Sequence, residues 1–306
     1  AWHRHDTDGS FESCCAVAEG DEDRLYVVVK RTIGGTTKRY VERMASRLFN
    51  DLEDAFFVDS GLTYDGTNTG ATTMTVTGGT NWSPAEILTL TASAGTFNPP
   101  DVGDVIVLTD VDGTQFRLTI TAFTSGVSVS VRPDKVISPA LRGVATTNWS
   151  FARDVVSGLS HIEGKVVSIL ADGAVMPQAT VTGGAVTLQR PATIVHVGLP
   201  YESDLQTLPL ALQMEAFGQG RVKNINEAWL RVVSSSGIFV GPTANKLVEA
   251  KQRTTEPYGS PPALKTEEIG IKLTPSWQAN GQVYVRQADP LPLTIVGLTL
   301  EVAIGG

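Results

Sequence analysis

Glycine-based turn pairs recur along this chain so closely that little but short strands fits between them. Asp-Gly stands at 8–9, 65–66, 112–113 and 172–173, and Gly-Gly at 34–35, 78–79, 183–184 and 305–306. Such pairs supply the positive φ that tight hairpin turns demand. Most are flanked by β-branched runs, among them Leu25-Tyr26-Val27-Val28-Val29, Val105-Ile106-Val107-Leu108, Val127-Ser128-Val129-Ser130-Val131 and Val166-Val167-Ser168-Ile169-Leu170. Strand runs punctuated in this way predict a mainly β fold built from hairpins. Asn98-Pro99-Pro100 and Ser260-Pro261-Pro262 read as loops, because proline lacks the donor that a central strand needs.

Helical patterns are few. Val41, Met44, Leu48, Leu52 and Ala55 fall at three- and four-residue spacing, which predicts a short helix or turn over 41–56. Arg39-Tyr40-Val41-Glu42 also reads as the end of a hairpin strand. A second, weaker helical pattern spans Asn226 to Val233.

Composition divides the chain in three. Residues 1–61 carry many charges and aromatics. Residues 62–150 hold eighteen threonines and few basic residues, and read as a small β module inserted in the chain. Residues 151–306 return to bulkier hairpins, expected to pack with 1–61. No tandem repeat of fixed period makes the chain a complete solenoid or propeller.

Charge narrows the function classes. Across 306 residues, 24 Lys+Arg face 32 Asp+Glu, a formal net charge of -8. Such a chain repels phosphate on average, which argues against tight sequence-independent binding to nucleic acid. No apolar run approaches the ~20 residues a membrane helix requires, so no membrane insertion is expected. The two cysteines, Cys14 and Cys15, are neighbours whose side chains point to opposite faces of a strand, which argues against a disulfide between them. The chain begins at Ala1 without a secretory signal and reads as a piece of a longer protein.

Residues that carry chemistry are scarce. His3, His5, Asp6 and Asp8 resemble a metal cluster, but the pattern fits a polar strand ending in a turn better. His161, Glu163 and Lys165 at i, i+2 and i+4 would line one face of a strand, either as an acid/base row or as a surface ladder. No nucleophile elbow, phosphate loop or zinc-binding His-Glu-x-x-His occurs. The expectation is no enzyme, no cofactor and no metal. Asn81-Trp82-Ser83 and Asn148-Trp149-Ser150 bracket the threonine-rich module. Trp82 and Trp149 there read as boundary anchors or as glycan contacts. The mixed charges of the 246–265 segment read as a solvated or subunit-facing loop.

An ordered series of motifs resembles the tail tube B and packaged-DNA stabilization proteins of short-tailed bacteriophages. It runs through Trp2-His3-Arg4-His5, Gly9-Ser10-Phe11-Glu12-Ser13, Asp23-Arg24-Leu25-Tyr26-Val27, Val29-Lys30-Arg31, Arg39-Tyr40-Val41-Glu42-Arg43 and Phe57-Val58-Asp59-Ser60-Gly61. It resumes after the module with Gly158-Leu159-Ser160-His161-Ile162-Glu163-Gly164, Ala171-Asp172-Gly173, Val197-Gly198-Leu199-Pro200-Tyr201 and Pro290-Leu291-Pro292-Leu293. The resemblance covers about two thirds of the chain, residues 1–61 and 157–306.

It implies a virion tail nozzle: a ring of identical subunits, usually six, with propeller-like and platform parts. The ring meets the tail adaptor ring and fibres or spikes, and DNA passes through its lumen without sequence-specific binding. The stretch from Trp2 to Arg43 resembles the last propeller hairpins, and 62–150 falls where relatives carry variable insertions, some resembling the small β domain called FCCH. An acidic wall suits a conduit through which a polyanion must slide. Ring closure needs two complementary faces per subunit, for which Tyr201, Trp229, Arg231, Trp277 and Tyr284 are the expected interface residues. The rival expectation is a receptor- or glycan-binding tail component acting through the inserted module.

Overall fold

The computed structural model describes residues 4–210, 221–251, 253, 255–256 and 260–305. Strands take up 52% of the described residues and helical turns 4%, so the fold is mainly β, as the turn pattern predicts. In chain order the strands are β1 (Ser10–Glu19), β2 (Glu22–Ile33), β3 (Thr36–Arg43), β4 (Asp59–Asp65), β5 (Met74–Thr77), β6 (Leu88–Ala92) and β7 (Val105–Thr109). Then come β8 (Gln115–Ser125), β9 (Ser128–Pro133), β10 (Trp149–Ser157), β11 (Val166–Ala171), β12 (Ala174–Thr180), β13 (Ala185–Ala192) and β14 (Ile194–Leu199). The last are β15 (Ser203–Gln206), β16 (Lys223–Val232), β17 (Phe239–Gly241), β18 (Val248–Glu249), β19 (Glu268–Lys272), β20 (Tyr284–Gln287) and β21 (Ile295–Ile304). They form five sheets, ordered β1-β2-β3, β13-β10-β7-β8-β9-β6-β5, β12-β11-β14-β4, β15-β20-β17-β18 and β19-β16-β21.

The chain divides into two compact units. One comprises residues 1–61, 164–178 and 197–306, the other 62–163 and 179–196. The second unit therefore takes in more than the threonine-rich 62–150 stretch, because β10 pairs with β7 on one side and β13 on the other.

Threonine content in the second unit follows from strand geometry. Side chains alternate between faces with period two. Met74 and Val76 of β5, Leu88 and Leu90 of β6, Leu118 and Ile120 of β8 and Val129 and Val131 of β9 point inward to one apolar core. Thr75, Thr77, Thr89, Thr91, Thr119 and Thr121 take the alternate positions, none of them buried. Threonine suits these places because it is β-branched yet polar. Alternation lapses at Thr121 and Ala122, where the register with β9 shifts between Ile120 and Ala122 and both residues face solvent.

The two ends of the threonine-rich stretch are stitched together. Asn68 donates from its side-chain amide to the carbonyls of Thr72 and Thr147, and its N–H bonds the Trp149 carbonyl. Gly66 lies against Phe151 so closely that a Cβ there would sit 1.9 Å from the Phe151 oxygen. No side chain fits at that position.

In the first unit the central strand of β19-β16-β21 alternates Ala228, Leu230 and Val232 inward with Trp229 and Arg231 outward. Asn226 to Val233 is therefore strand with a single loop residue at its end, contrary to the helical expectation. The period of two, fixed by pairing on both edges, overrides a weak helical spacing. Of the short helix or turn expected over 41–56 only a turn forms, and Arg39-Tyr40-Val41-Glu42 is the strand end its alternative reading gave. Val41 and Arg43 are held in β3 opposite Val28 and Tyr26. Only Leu52–Asp54 forms a turn, a single 3₁₀ turn without a side-chain cap. The residues meant to form its apolar stripe diverge, with Leu48 82% exposed while Leu52 and Ala55 join Phe49, Phe57, Leu170 and Leu291 in a small apolar cluster. No helix among the described residues is long and apolar enough to cross a membrane.

Candidate functional site

Several motif blocks far apart in sequence meet at one buried guanidinium in the first unit. Arg31, 1% exposed, projects from β2. Its Nη1 and Nη2 donate to the two carboxylate oxygens of Glu42 on β3, each at 3.1 Å. Nη2 also reaches Asp59 of β4 at 3.1 Å and the Thr7 hydroxyl at 2.6 Å. Ser60, at a positive φ of 48°, donates from its hydroxyl to Glu42 at 2.8 Å. Arg31 Nε is buried without a partner. Next to this cluster a Cβ on Gly198 would stand 2.7 Å from both the Asp59 oxygen and Gly61 Cα, so the backbones touch there. Such a network ties β2, β3, β4 and the segment before β1 into one piece.

Beyond that anchor the β1-β2-β3 meander is open. Residues 10–18 of β1 are all exposed, and Phe11, Val17, Leu25 and Val41 are exposed apolar side chains on this sheet. Charges cross the sheet in pairs, Arg39 with Glu12 at 2.6 Å and Arg43 with Glu19 at 2.8 Å. The Arg39 and Arg43 hydrogen bonds help hold the Glu12 and Glu19 carboxyls below the usual carboxylate range, with the Tyr26 hydroxyl the larger influence on Glu19. Cys14 and Cys15 are exposed free thiols.

The expected interface residues are spread over several elements. Trp229, 40% exposed, shares the outward face of β16 with exposed Arg231 and lies over Gly270 of β19. Tyr201 and Trp277 are exposed in loops. Tyr284 is half-buried on β20, with its hydroxyl on Asp204, which Arg286 grips through two nitrogens at 2.8 Å each. That grip draws the Asp204 carboxyl below the ordinary range.

The two tryptophans of the module behave as anchors. Trp149 is 8% exposed and its indole N–H donates to the Thr72 carbonyl at 2.8 Å, so it presents no face on which a sugar ring stacks. The glycan expectation fails for this residue. Trp82 is half-buried against the core at a positive φ of 58°, beneath the Arg142 guanidinium 5.5 Å away. Its turn is held by the Glu86 carboxylate, which accepts the backbone N–H of Thr80, Asn81 and Trp82.

His161, Glu163 and Lys165 form no row. His161 sits in a 3₁₀ turn, Ser160–Ile162. Glu163 accepts the N–H groups of Gly183 and Gly184 at 2.9 and 2.6 Å, and Lys165 pairs with Asp8 at 2.7 Å. Two glycines at positive φ aim consecutive N–H groups at one carboxylate, a backbone anion nest that fixes Glu163 as a structural pin. Trp2 and His3 lie outside the described residues, among which no group of three or more His, Cys, Asp or Glu is placed to hold a metal.

A cleft of about 450 Å³, lined wholly by the second unit, gathers residues that the sequence does not mark. Asp101 and Asp104, 2% and 6% exposed, face Arg153 of β10. Arg153 Nη1 donates to Asp101 at 2.9 Å and stands 3.7 Å from Asp104. Asp101 also accepts the Asn98 N–H at 2.7 Å, closing the cap of the 99–101 turn. Asp104 accepts the Asp154 N–H at 3.0 Å. The Arg153 guanidinium lies over the Phe151 ring, 4.1 Å from its centroid. Tyr64 donates to the Phe151 carbonyl at 2.7 Å, and burial pushes its phenol up to about 12. Burial likewise raises Asp104 above the ordinary carboxylate range. Beside them Thr63 bonds Nδ1 of buried His196 at 2.7 Å.

No protein-family model matches the chain, and no curated protein matches it.

Proposed function

We propose that the chain is a structural virion protein, part of the ring-shaped tail nozzle of a short-tailed bacteriophage that retains packaged DNA and conducts it during ejection. One observation carries this reading. The motif blocks that resemble the nozzle family, Val29–Arg31, Arg39–Arg43, Phe57–Gly61 and Val197–Tyr201, converge on the Arg31 cluster and the Gly61–Gly198 contact. Motif blocks that meet at one cluster support reading them together as parts of a single scaffold.

Two further features support it. The net charge of -8 suits a wall along which DNA slides, since each lysine contact to phosphate would hold the polyanion back. The meander of β1, β2 and β3 offers exposed apolar side chains and open edges for neighbouring subunits. Trp229 with Arg231, Tyr201 and Trp277 supply exposed anchors for the ring interface, and Tyr284 contributes through its ring more than through its committed hydroxyl. The chemistry of such a subunit is mechanical and electrostatic.

Electron microscopy of the full-length protein, alone and mixed with its adaptor ring, tests the proposal. A closed ring with a central channel is expected in at least the mixture. Absence of any ring in both samples contradicts it.

A further inference from the structure

We propose that the Asp104–Arg153 cleft of the second unit binds a neutral glycan, with a vicinal diol of the sugar bridging the two side chains. The site stands whether or not the chain assembles as a ring. It also differs from a stacking platform on Trp82 and Trp149, which burial disfavours.

One carboxylate in the cleft has an oxygen that accepts no hydrogen bond from the described residues. Asp104 is 6% exposed, and its Oδ1 takes the Asp154 N–H at 3.0 Å. Its Oδ2 accepts no hydrogen bond from any described residue, and Arg153 Nη1 at 3.7 Å is beyond hydrogen-bond reach. Asp104 lines the cleft, so this oxygen keeps the capacity to accept an O–H or N–H from a ligand there. Arg153 commits Nη1 to Asp101 and has five N–H donors in all, which leaves donors over for a ligand. An acceptor with room for a hydrogen bond therefore sits beside spare donors.

Charge selects among ligands that complement this pair. A cation meets the Arg153 guanidinium, and an anion meets Asp101, Asp104 and Asp154. A neutral polyol satisfies both sides, one hydroxyl donating to Asp104 and its neighbour accepting from Arg153. Leu62, Pro100 and Tyr64 supply apolar surface for the C–H face of a sugar ring. The volume of about 450 Å³ lies within the range of about 300–1,000 Å³ usual for small-ligand sites. The pair is held in advance, Asp104 by the Asp154 N–H and Arg153 by Asp101 and by stacking on Phe151, which reduces the ordering cost of binding.

Saturation-transfer NMR on the full chain tests the site with maltotriose, cellotriose, chitotriose and mannotriose, and with trigalacturonate and spermidine as charged comparators. At least one neutral trisaccharide is expected to bind, shifting the amides of Asp101, Asp104 and Asp154. D104N and R153K should each weaken that binding at least tenfold while leaving the melting temperature of the chain within a few degrees. If either variant unfolds, the amide map on the unaltered chain decides. Shifts that cluster around Trp82, binding by none of the four neutral sugars, equal binding of a charged comparator, or a folded D104N that binds as before would each overturn the proposal.

Discussion

The meander of the first unit and the seven-stranded sheet of the second solve the same problem, fixing antiparallel strands, by opposite means. In the second unit the register is set by apolar alternation, with Leu88, Leu90, Leu118, Ile120, Val129 and Val131 filling one dry face and threonines the other. A one-residue slip there would turn every leucine to solvent. In the meander β1 buries nothing, and the sheet is pinned at one end by a buried arginine shared among Glu42, Asp59 and Thr7. A hydrophobic face tolerates the loss of one member by degrees. An ion network fails as a unit, because removing one charge strands the others in a desolvated place.

That contrast is broken most directly at Arg31. Arg31→Met leaves Glu42 and Asp59 close together without their counter-ion and is expected to cost about 3–5 kcal/mol. Hydrogen exchange should show the loss in β1, β2 and β3. Adding Glu42→Gln and Asp59→Asn should recover part of it, and equal instability in single and triple variants would mean that packing, not charge, holds the meander.

In the second unit Leu118→Ala removes a fully buried side chain and should cost about 3 kcal/mol, confined to 62–163 and 179–196 and leaving exchange in the meander unchanged. A loss that spreads evenly through both units would show them to be one cooperative block.

The pH dependence of the two units should differ in sign at two carboxyls. Burial raises Asp104 in the fold, so its folded form holds a proton that the unfolded chain releases. Its contribution to stability therefore declines as pH rises from the ordinary carboxylate value of about 3.9 through the raised one, and D104N should abolish that slope. Asp204 is lowered, so its contribution is present above the ordinary value and lost as pH falls through the folded one. Partial exposure reduces the Asp204 effect. Carboxyl titration by NMR in the unaltered chain and in D104N separates the two.

The smallest effect belongs to the threonine face. Thr89→Val keeps the shape and β-branching of an exposed position and should change stability by no more than about 0.5 kcal/mol. A larger change would mean that the outer hydroxyls are engaged with something.

Turn chemistry and alternation made the β class legible in the sequence. Gly34-Gly35 does join β2 to β3, Asp112-Gly113 the β7–β8 pair and Asp172-Gly173 the β11–β12 pair. Over 41–56 the spacing left helix and strand open, and cross-strand pairing of Val41 with Val28 decides for the strand end that Arg39-Tyr40-Val41-Glu42 suggested. His161, Glu163 and Lys165 look like a strand row until Glu163 is seen to be drawn off by Gly183 and Gly184, some twenty residues on. The cleft was illegible for the same reason. Asn98-Pro99-Pro100-Asp101 carries the signature of a capped turn, but only the fold brings Arg153, fifty-two residues away, against Asp101.

Retention and passage of DNA, the role proposed for this chain, are tested most directly with phage particles assembled without it. Heads should fill and then lose their genome, leaving DNA open to nuclease, and supplying the chain during assembly should restore protection. Particles that keep nuclease-resistant DNA and normal infectivity without it would contradict the proposed nozzle role.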